Sequence, residues 1–338
     1  MSAIVFHVRR CAVLAAAVSL LATATGCIRQ KTIVTVKPDG SGRILVSMVY
    51  SKEVVAMQEA QMAQMREAMA AQGGGVEMAK NPYYNPRMLH FLGRQFGLNV
   101  KLAESRAYNK GGARGFLALY EFEDVNALRV SAQMNMSTMA MSQMSLANSE
   151  ADEDELDEQM EQMMESMADQ FGGTPVTFKL TKGDPNRLEV VLPDMEAPVE
   201  IDEADLSEEE ETPLAGPEGS MVAGQMMAGG NPFGFTANDT ESQMMRKMMN
   251  GMSVSLDIAV QGAAAKAEGA TPRPGKNNRW IVYDIDFEKL VADRKGYYAM
   301  KGMEDHPMAG GGMDVAAFGR FAGMPGATVQ TNDFTITF

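Results

Sequence analysis

The side chains best suited to chemistry in this 338-residue chain are its thioethers: thirty-one methionines stand against three histidines and two cysteines. They gather at helical spacing, at Met62, Met65 and Met69, at Met160, Met163, Met164 and Met167, and at Met244, Met245, Met248 and Met249. Steps of three and four bring sulfurs onto one helical face, and soft thioether ligands suit Cu(I). The same steps are what any amphipathic helix needs, and unbranched Met is both a good helix former and an adaptable core filler. Only His90 and His306 lie beyond the first 27 residues, so mixed His/Met sites are scarce. Core packing is therefore the preferred reading of the methionines. An adaptable apolar surface for a hydrophobic peptide, lipid or protein partner comes second, and a copper-binding or buffering role is the alternative.

Other constellations carry less. The acidic run ADEDELDEQMEQ at 151–162 lacks the glycine that a calcium loop needs at its sixth position, and reads as the solvated face of a helix. Gly275-Lys276 has neither the upstream glycine nor the hydroxyl residue of a phosphate loop, and reads as a loop lysine. No nucleophile elbow and no HExxH occurs, so no catalytic residue is assigned and the chain is not expected to be an enzyme. His90 is expected on the wet side of a short helix and His306 in a Gly/Pro-rich loop.

One thiol has a context of its own. Arg9 and Arg10 precede a charge-free stretch from Cys11 to Gly26, too short to span a bilayer, which needs ~20 apolar residues. It ends in Ala24-Thr25-Gly26 just before Cys27, where small side chains leave room for a peptidase and for an acyl donor. These residues resemble the type II signal peptide and lipobox of bacterial lipoproteins, with Ala24 at the position where leucine is usual. The resemblance implies cleavage between Gly26 and Cys27 and acylation of the Cys27 thiol, palmitate being a typical chain. It also implies a body held at the cell membrane or outer membrane and facing the periplasm or the exterior. In the family's terms Ile28, where an aspartate would favour retention at the inner membrane, implies the outer membrane if the cell has one.

Composition bounds the rest. The formal charge is −14, and removing Arg9 and Arg10 with a leader would make it more negative still, which argues against nucleic acid and against a polybasic lipid-binding patch. With Cys11 in the leader and Cys27 acylated, no disulfide, thiol nucleophile or cysteine zinc site is expected. After residue 27 no uncharged apolar run approaches 18 residues, so the lipid is the expected membrane attachment.

Elements that would position these residues are legible as periodicities. KTIVTVKPDGSGRILVSMVY at 31–50 alternates on two arms about Pro38-Asp39-Gly40-Ser41-Gly42 and predicts a hairpin. A helix is predicted from Lys52 to Gln72 with Ser51 as its cap, and a second starts at Asn85-Pro86, buries Leu89, Leu92 and Phe96, and closes at Gly97. A hairpin follows from Leu98 to Phe122 about Gly111-Gly112, with Asp124 capping a short helical turn. A third lies within 175–193. Single strands are predicted at Ser253–Gln261, Trp280–Phe287 and Asp333–Phe338.

Alternating strands imply mostly antiparallel sheets, and helices that follow hairpins imply an α+β class, with amphipathic Met-rich helices on one face of the sheet. The expected organisation is a signal peptide at 1–26, a lipidated tether at 27–30 and an α+β region at 31–194. A disordered acidic and Gly-rich linker at 195–238 leads to a second α+β region at 239–303 that packs on the first. A flexible Gly/Met-rich loop at 304–327 and a terminal strand at 328–338 complete it. The Asp39-Gly40-Ser41-Gly42 turn and the GFLALYEFEDVNAL stretch at 115–128 together resemble bacterial lipoproteins whose mature chain opens with a DGSG-type hairpin. That resemblance implies kinship with envelope proteins and no particular activity.

Overall fold

A computed structural model describes residues 28–56, 58–60, 63, 83–131, 174–199, 240–262, 265–302 and 315–338. Within them the first hairpin is β1 (Ile28–Val36) and β2 (Gly42–Tyr50), in a register that runs from Ile28 opposite Tyr50 to Val36 opposite Gly42. Each residue of the turn has a task. Asp39 Oδ1 accepts from the Ser41 backbone N–H at 2.9 Å and from its hydroxyl at 2.8 Å, while Gly40 takes φ 90°, a conformation that L side chains rarely adopt. At Gly42 the demand is spatial, because a Cβ there would stand 2.0 Å from the Thr35 carbonyl oxygen and 2.5 Å from the Phe122 ring.

Residues 52–56 and 58–60 are helical, opened by Ser51 as predicted, whose hydroxyl accepts from the Val54 N–H at 3.4 Å. Residue 63 is helical as well, and the other residues from 61 to Gln72 lie outside the described residues. Helix α1 (Pro86–Gln95) is capped by the Asn85 side chain, which accepts from the Arg87 and Met88 N–H groups, and it buries Leu89, Leu92 and the following Phe96. β3 (Lys101–Lys110) and β4 (Ala113–Phe122) form the second hairpin. Its two-residue loop, Gly111 at φ 60° and Gly112 at φ 84°, has the double left-handed geometry that matches strand twist. Leu98 was expected to begin this hairpin; it sits instead in the turn before β3 with 99% of its surface exposed, because Gly97 at φ 139° turns the chain there. Asp124 caps the 3-10 turn Val125–Ala127 as expected, accepting from the Asn126 N–H.

β5 (Arg129–Val130) is followed by β6 (Val176–Thr181) and β7 (Arg187–Val191), the third hairpin. Helix α2 (Glu241–Met249) opens on a Thr240–Gln243 capping box. Then come β8 (Ser253–Val260), β9 (Lys266–Glu268), β10 (Thr271–Pro272), β11 (Arg279–Asp286), α3 (Phe287–Ala292), α4 (Arg294–Lys301), a 3-10 helix (Ala316–Phe321), β12 (Ala327–Val329) and β13 (Phe334–Thr337).

The strands assemble into two sheets. The larger runs β10-β11-β8-β1-β2-β4-β3 with β12 also on β11, and the smaller runs β5-β6-β7-β13-β9. Pairing is antiparallel throughout except between β1 and β8, which lie parallel with Arg29 opposite Ser253 and Val36 opposite Val260. The class is α+β with mostly antiparallel sheets, as the alternation implied. One hydrophobic core joins both sheets and the helices: Val34, Ile44, Tyr120, Leu256 and Ile285 of the larger sheet meet Val176, Leu188 and Ile336 of the smaller, with Leu89, Leu290 and Phe318 from the helices.

Four features of the expected organisation are revised. β1 begins at Ile28, so residues 28–30 are strand rather than tether, and Gln30 is buried. Residues 239–303 share a core with residues 31–194 and are also joined to them by strand pairing. β8 and β11 extend the sheet that β1 starts, and β9 reaches the smaller sheet through β13. The expected linker is ordered from 195 to 199, where the Glu196 N–H donates to the Ala316 carbonyl at 2.9 Å. Within 304–327, residues 315–327 carry the 3-10 helix and the start of β12, with Phe318 and Phe321 in the core. Small residues made that segment read as a loop. Gly319 instead lets the helix touch the Glu196 backbone, at a point where a Cβ would lie 2.2 Å from the carbonyl oxygen.

Candidate functional site

The described chemistry concentrates on the outward face of the larger sheet, where β1, β8 and β11 lie side by side. β8 turns Leu256, Ile258 and Val260 into the core, so alternation sends Ser255 and Asp257 the other way. Lys31 stands opposite Ser255 across the parallel pair, and Asp284 stands opposite Ser255 on the antiparallel side. Arg279 opens β11. Between β8 and β11 the chain makes an excursion through β9 and β10 that brings Arg273 back over this face, held where its N–H donates to the Arg279 carbonyl at 2.8 Å.

Asp257 is fully buried, with 0% exposure, and both of its oxygens are saturated. Oδ1 accepts from Arg273 Nε at 3.0 Å and from Nη2; Oδ2 accepts from Arg279 Nε at 2.8 Å and from Nη2, with Lys31 Nζ at 3.8 Å. The other arm of Arg273 reaches Asp284. Paired guanidinium forks of this kind are the arrangement in which a carboxylate tolerates loss of water. Burial lowers the Lys31 pKa below the usual lysine value, with Asp257 pulling the other way. For Arg273 burial also acts downward, but the hydrogen bonds and charges of Asp257 and Asp284 outweigh it and the value rises. Tyr283, on the opposite face, is raised by burial first and by the Asp257 charge second.

Three cations, Lys31, Arg273 and Arg279, thus share two carboxylates, which leaves the cluster with one positive charge in excess. Beside it, where the tip of the β10–β11 hairpin meets β9, lies a cavity of about 500 Å³ lined by Pro272, Lys276, Asn277, Asn278, Arg279 and Trp280. Gly275 at φ 68° makes the tight turn that closes with the Lys276 N–H donating to the Arg273 carbonyl. Asn278, at φ 53°, uses its amide to hold the far wall: Oδ1 accepts from the Ala265 N–H at 3.1 Å and Nδ2 donates to the Gly262 carbonyl at 3.3 Å.

Of the residues singled out from sequence, Gly26, Cys27, Met62, Met65, Met69, Met160, Met163, Met164 and Met167 lie outside the described residues, as does His306. Met244, Met245, Met248 and Met249 all fall in α2; Met245 is in the core and Met249 packs against it. His90 is on the exposed side of α1, and Lys276 is a turn residue as expected. Among the described residues no three of His, Cys, Asp and Glu converge as a metal site would require. The Asp257 cluster was not anticipated. In SVSLDIAV the aspartate sits on the polar phase of an alternating strand and reads as solvated; the one available signal was the pair of arginines flanking the RPGKNNR turn.

No family model matches this chain, and no curated protein matches it. Among solved structures it is similar to the NMR structure of the folded domain of LppM from Mycobacterium tuberculosis, with 11% sequence identity, coverage of 77% of this chain and 84% of that one, and a TM-score of 0.21.

Proposed function

We propose that this chain is an extracytoplasmic lipoprotein with a structural or interaction role at the cell envelope, anchored by acyl chains on Cys27. The observation that supports it most is that the expected cleavage position adjoins a described strand. The leader-like stretch ends at Gly26-Cys27, and the described strand β1 already includes Ile28, the very next residue. Processing there would leave Ile28–Val36 whole and put the lipid on the residue next to that strand. Each buried methylene contributes ~0.8 kcal/mol, and one chain alone binds marginally, so two or three chains are what a stable anchor takes. Among the described residues no helix is long and apolar enough to cross a membrane.

A binding role is favoured over catalysis by the state of Asp257, the one deeply buried carboxylate among the described residues. Asp257 accepts two guanidinium hydrogen bonds on each oxygen, which leaves it no lone pair with which to take a substrate proton. Within α2, Met245 lies in the core and Met249 packs against it, which supports a packing role for those two.

The test is release from the membrane. A Cys27→Ser variant should move from the membrane to the soluble fraction, and intact mass of the native polypeptide should show residues 1–26 absent and acyl chains on residue 27. An intact leader, or a variant that stays with the membrane, would sink the reading.

A further inference from the structure

The cavity at the β10–β11 hairpin tip adjoins a cluster in which cations outnumber carboxylates. Lys31, Arg273 and Arg279 exceed Asp257 and Asp284 by one positive charge, and all three cations are at least two-thirds buried by side-chain exposure: 28%, 15% and 11%. Partial burial weakens solvent screening, so the excess is felt in the adjoining space. Lys276 adds a second positive charge at the cavity itself and makes no ion pair among the described residues. Arg279 spends Nε and Nη2 on Asp257 and so contributes field rather than a second fork. Pro272, Ala265 and Ala267 supply an apolar wall, backed by the edge of the core residue Trp280, which is 6% exposed, and Asn277 offers an amide. The volume, about 500 Å³, is within the range of small-molecule sites.

Position in the fold narrows the source of the ligand. The cavity sits at the Val36–Val260 end of the parallel pair, where the Val260 N–H donates to the Asn278 carbonyl. β1 runs nine residues from Ile28 to this end, so the cavity lies roughly 30 Å along the strand from its origin. With Cys27 at a bilayer, that end faces water.

We infer that the cavity binds a small, water-soluble organic anion, a carboxylate or phosphate monoester with a flat apolar body. The anionic head lies toward Lys276 in the field of Arg279, and the body lies against Pro272, Ala265 and Ala267. Only the choice of a soluble ligand over a lipid headgroup rests on the anchor reading. The cavity itself is part of the body, so Cys27→Ser protein is to bind as the lipidated form does.

Calorimetric titration of the full chain in non-ionic detergent, with benzoate and phenyl phosphate as probes and benzyl alcohol as the uncharged control, tests this. Both anions should saturate, benzyl alcohol should not, and affinity should fall as salt is raised. Lys276→Ala should weaken both anions by about tenfold, the loss of one charge-assisted contact, with an unchanged melting temperature. No saturable binding of either anion, equal binding of benzyl alcohol, or equal affinity in Lys276→Ala would overturn the proposal. Inorganic phosphate bound as tightly as phenyl phosphate would overturn its apolar half.

Discussion

Asp257 shows what a single residue can conceal in a sequence. Its neighbours Leu256, Ile258 and Val260 establish the alternation, and the aspartate then falls on the outward phase, where solvent is the ordinary expectation. What buries it is Arg273, sixteen residues on, arriving through the β9–β10 excursion. The carboxylate is consequently a partner that the two guanidiniums cannot lose without being left desolvated. Asp257→Asn should destabilise the fold by about 3–5 kcal/mol, the range for breaking a buried ion pair from one side. Urea denaturation measures it, and a loss under 1 kcal/mol would mean that the cluster is solvated. Ser47 is the contrasting case: it is buried on the same sheet face with no hydrogen-bond partner for its hydroxyl among the described residues. No spacing rule marks either residue as buried, because outward phase on a strand says nothing of what later crosses over it.

Elements were the most readable scale. The Pro38–Gly42 turn, the Asn85 cap, the Gly111-Gly112 loop and the Asp124 cap each stand where local chemistry alone requires them, since the donors and acceptors involved are within three residues of one another. Where glycines do different work, sequence cannot tell the cases apart. Gly111 is needed for its φ of 60° and has nothing within 4 Å of a would-be Cβ, whereas Gly42 has no such backbone requirement and is held by contact with Thr35 and Phe122. Gly111→Ala should therefore lose about 1 kcal/mol, the strain of one left-handed residue. Gly42→Ala should lose more, roughly 2–3 kcal/mol, because a backbone carbonyl and a core ring must both give way. Equal thermal shifts for the two variants would refute the distinction. The same limit explains the misreading of 315–327: glycine, alanine and methionine look like loop composition, while the packing of Phe318 and Phe321 depends on a surface, near Glu196, that is more than a hundred residues away.

At the scale of the whole molecule the chain closes on itself. β8 and β11 complete the sheet begun by β1, and β13, at the carboxyl end, sits between β7 and β9 in the smaller sheet. A fragment covering residues 27–194 would thus keep seven strands, β1 to β7, in two incomplete sheets, with Val34, Ile44 and Val190 deprived of Leu256, Ile285 and Ile336. It should lack a cooperative unfolding transition by circular dichroism, while the chain from residue 27 to 338 should show one. A folded fragment would restore the picture of two regions packed together. The sequence by itself determined the leader-like segment, the class of the fold, most hairpins and caps, and the alternation that decides which side chains face inward, all of which follow from interactions between residues close along the chain. Only the tertiary structure decided that β1 and β8 run parallel, that the larger sheet draws on both halves, and that Asp257, Arg273 and Arg279 meet beside a cavity. The first two outcomes depend on which strand edges find one another across more than two hundred residues, and the third on how the β9–β10 excursion folds back; every edge offers the same backbone donors and acceptors, so local pattern leaves the choice open.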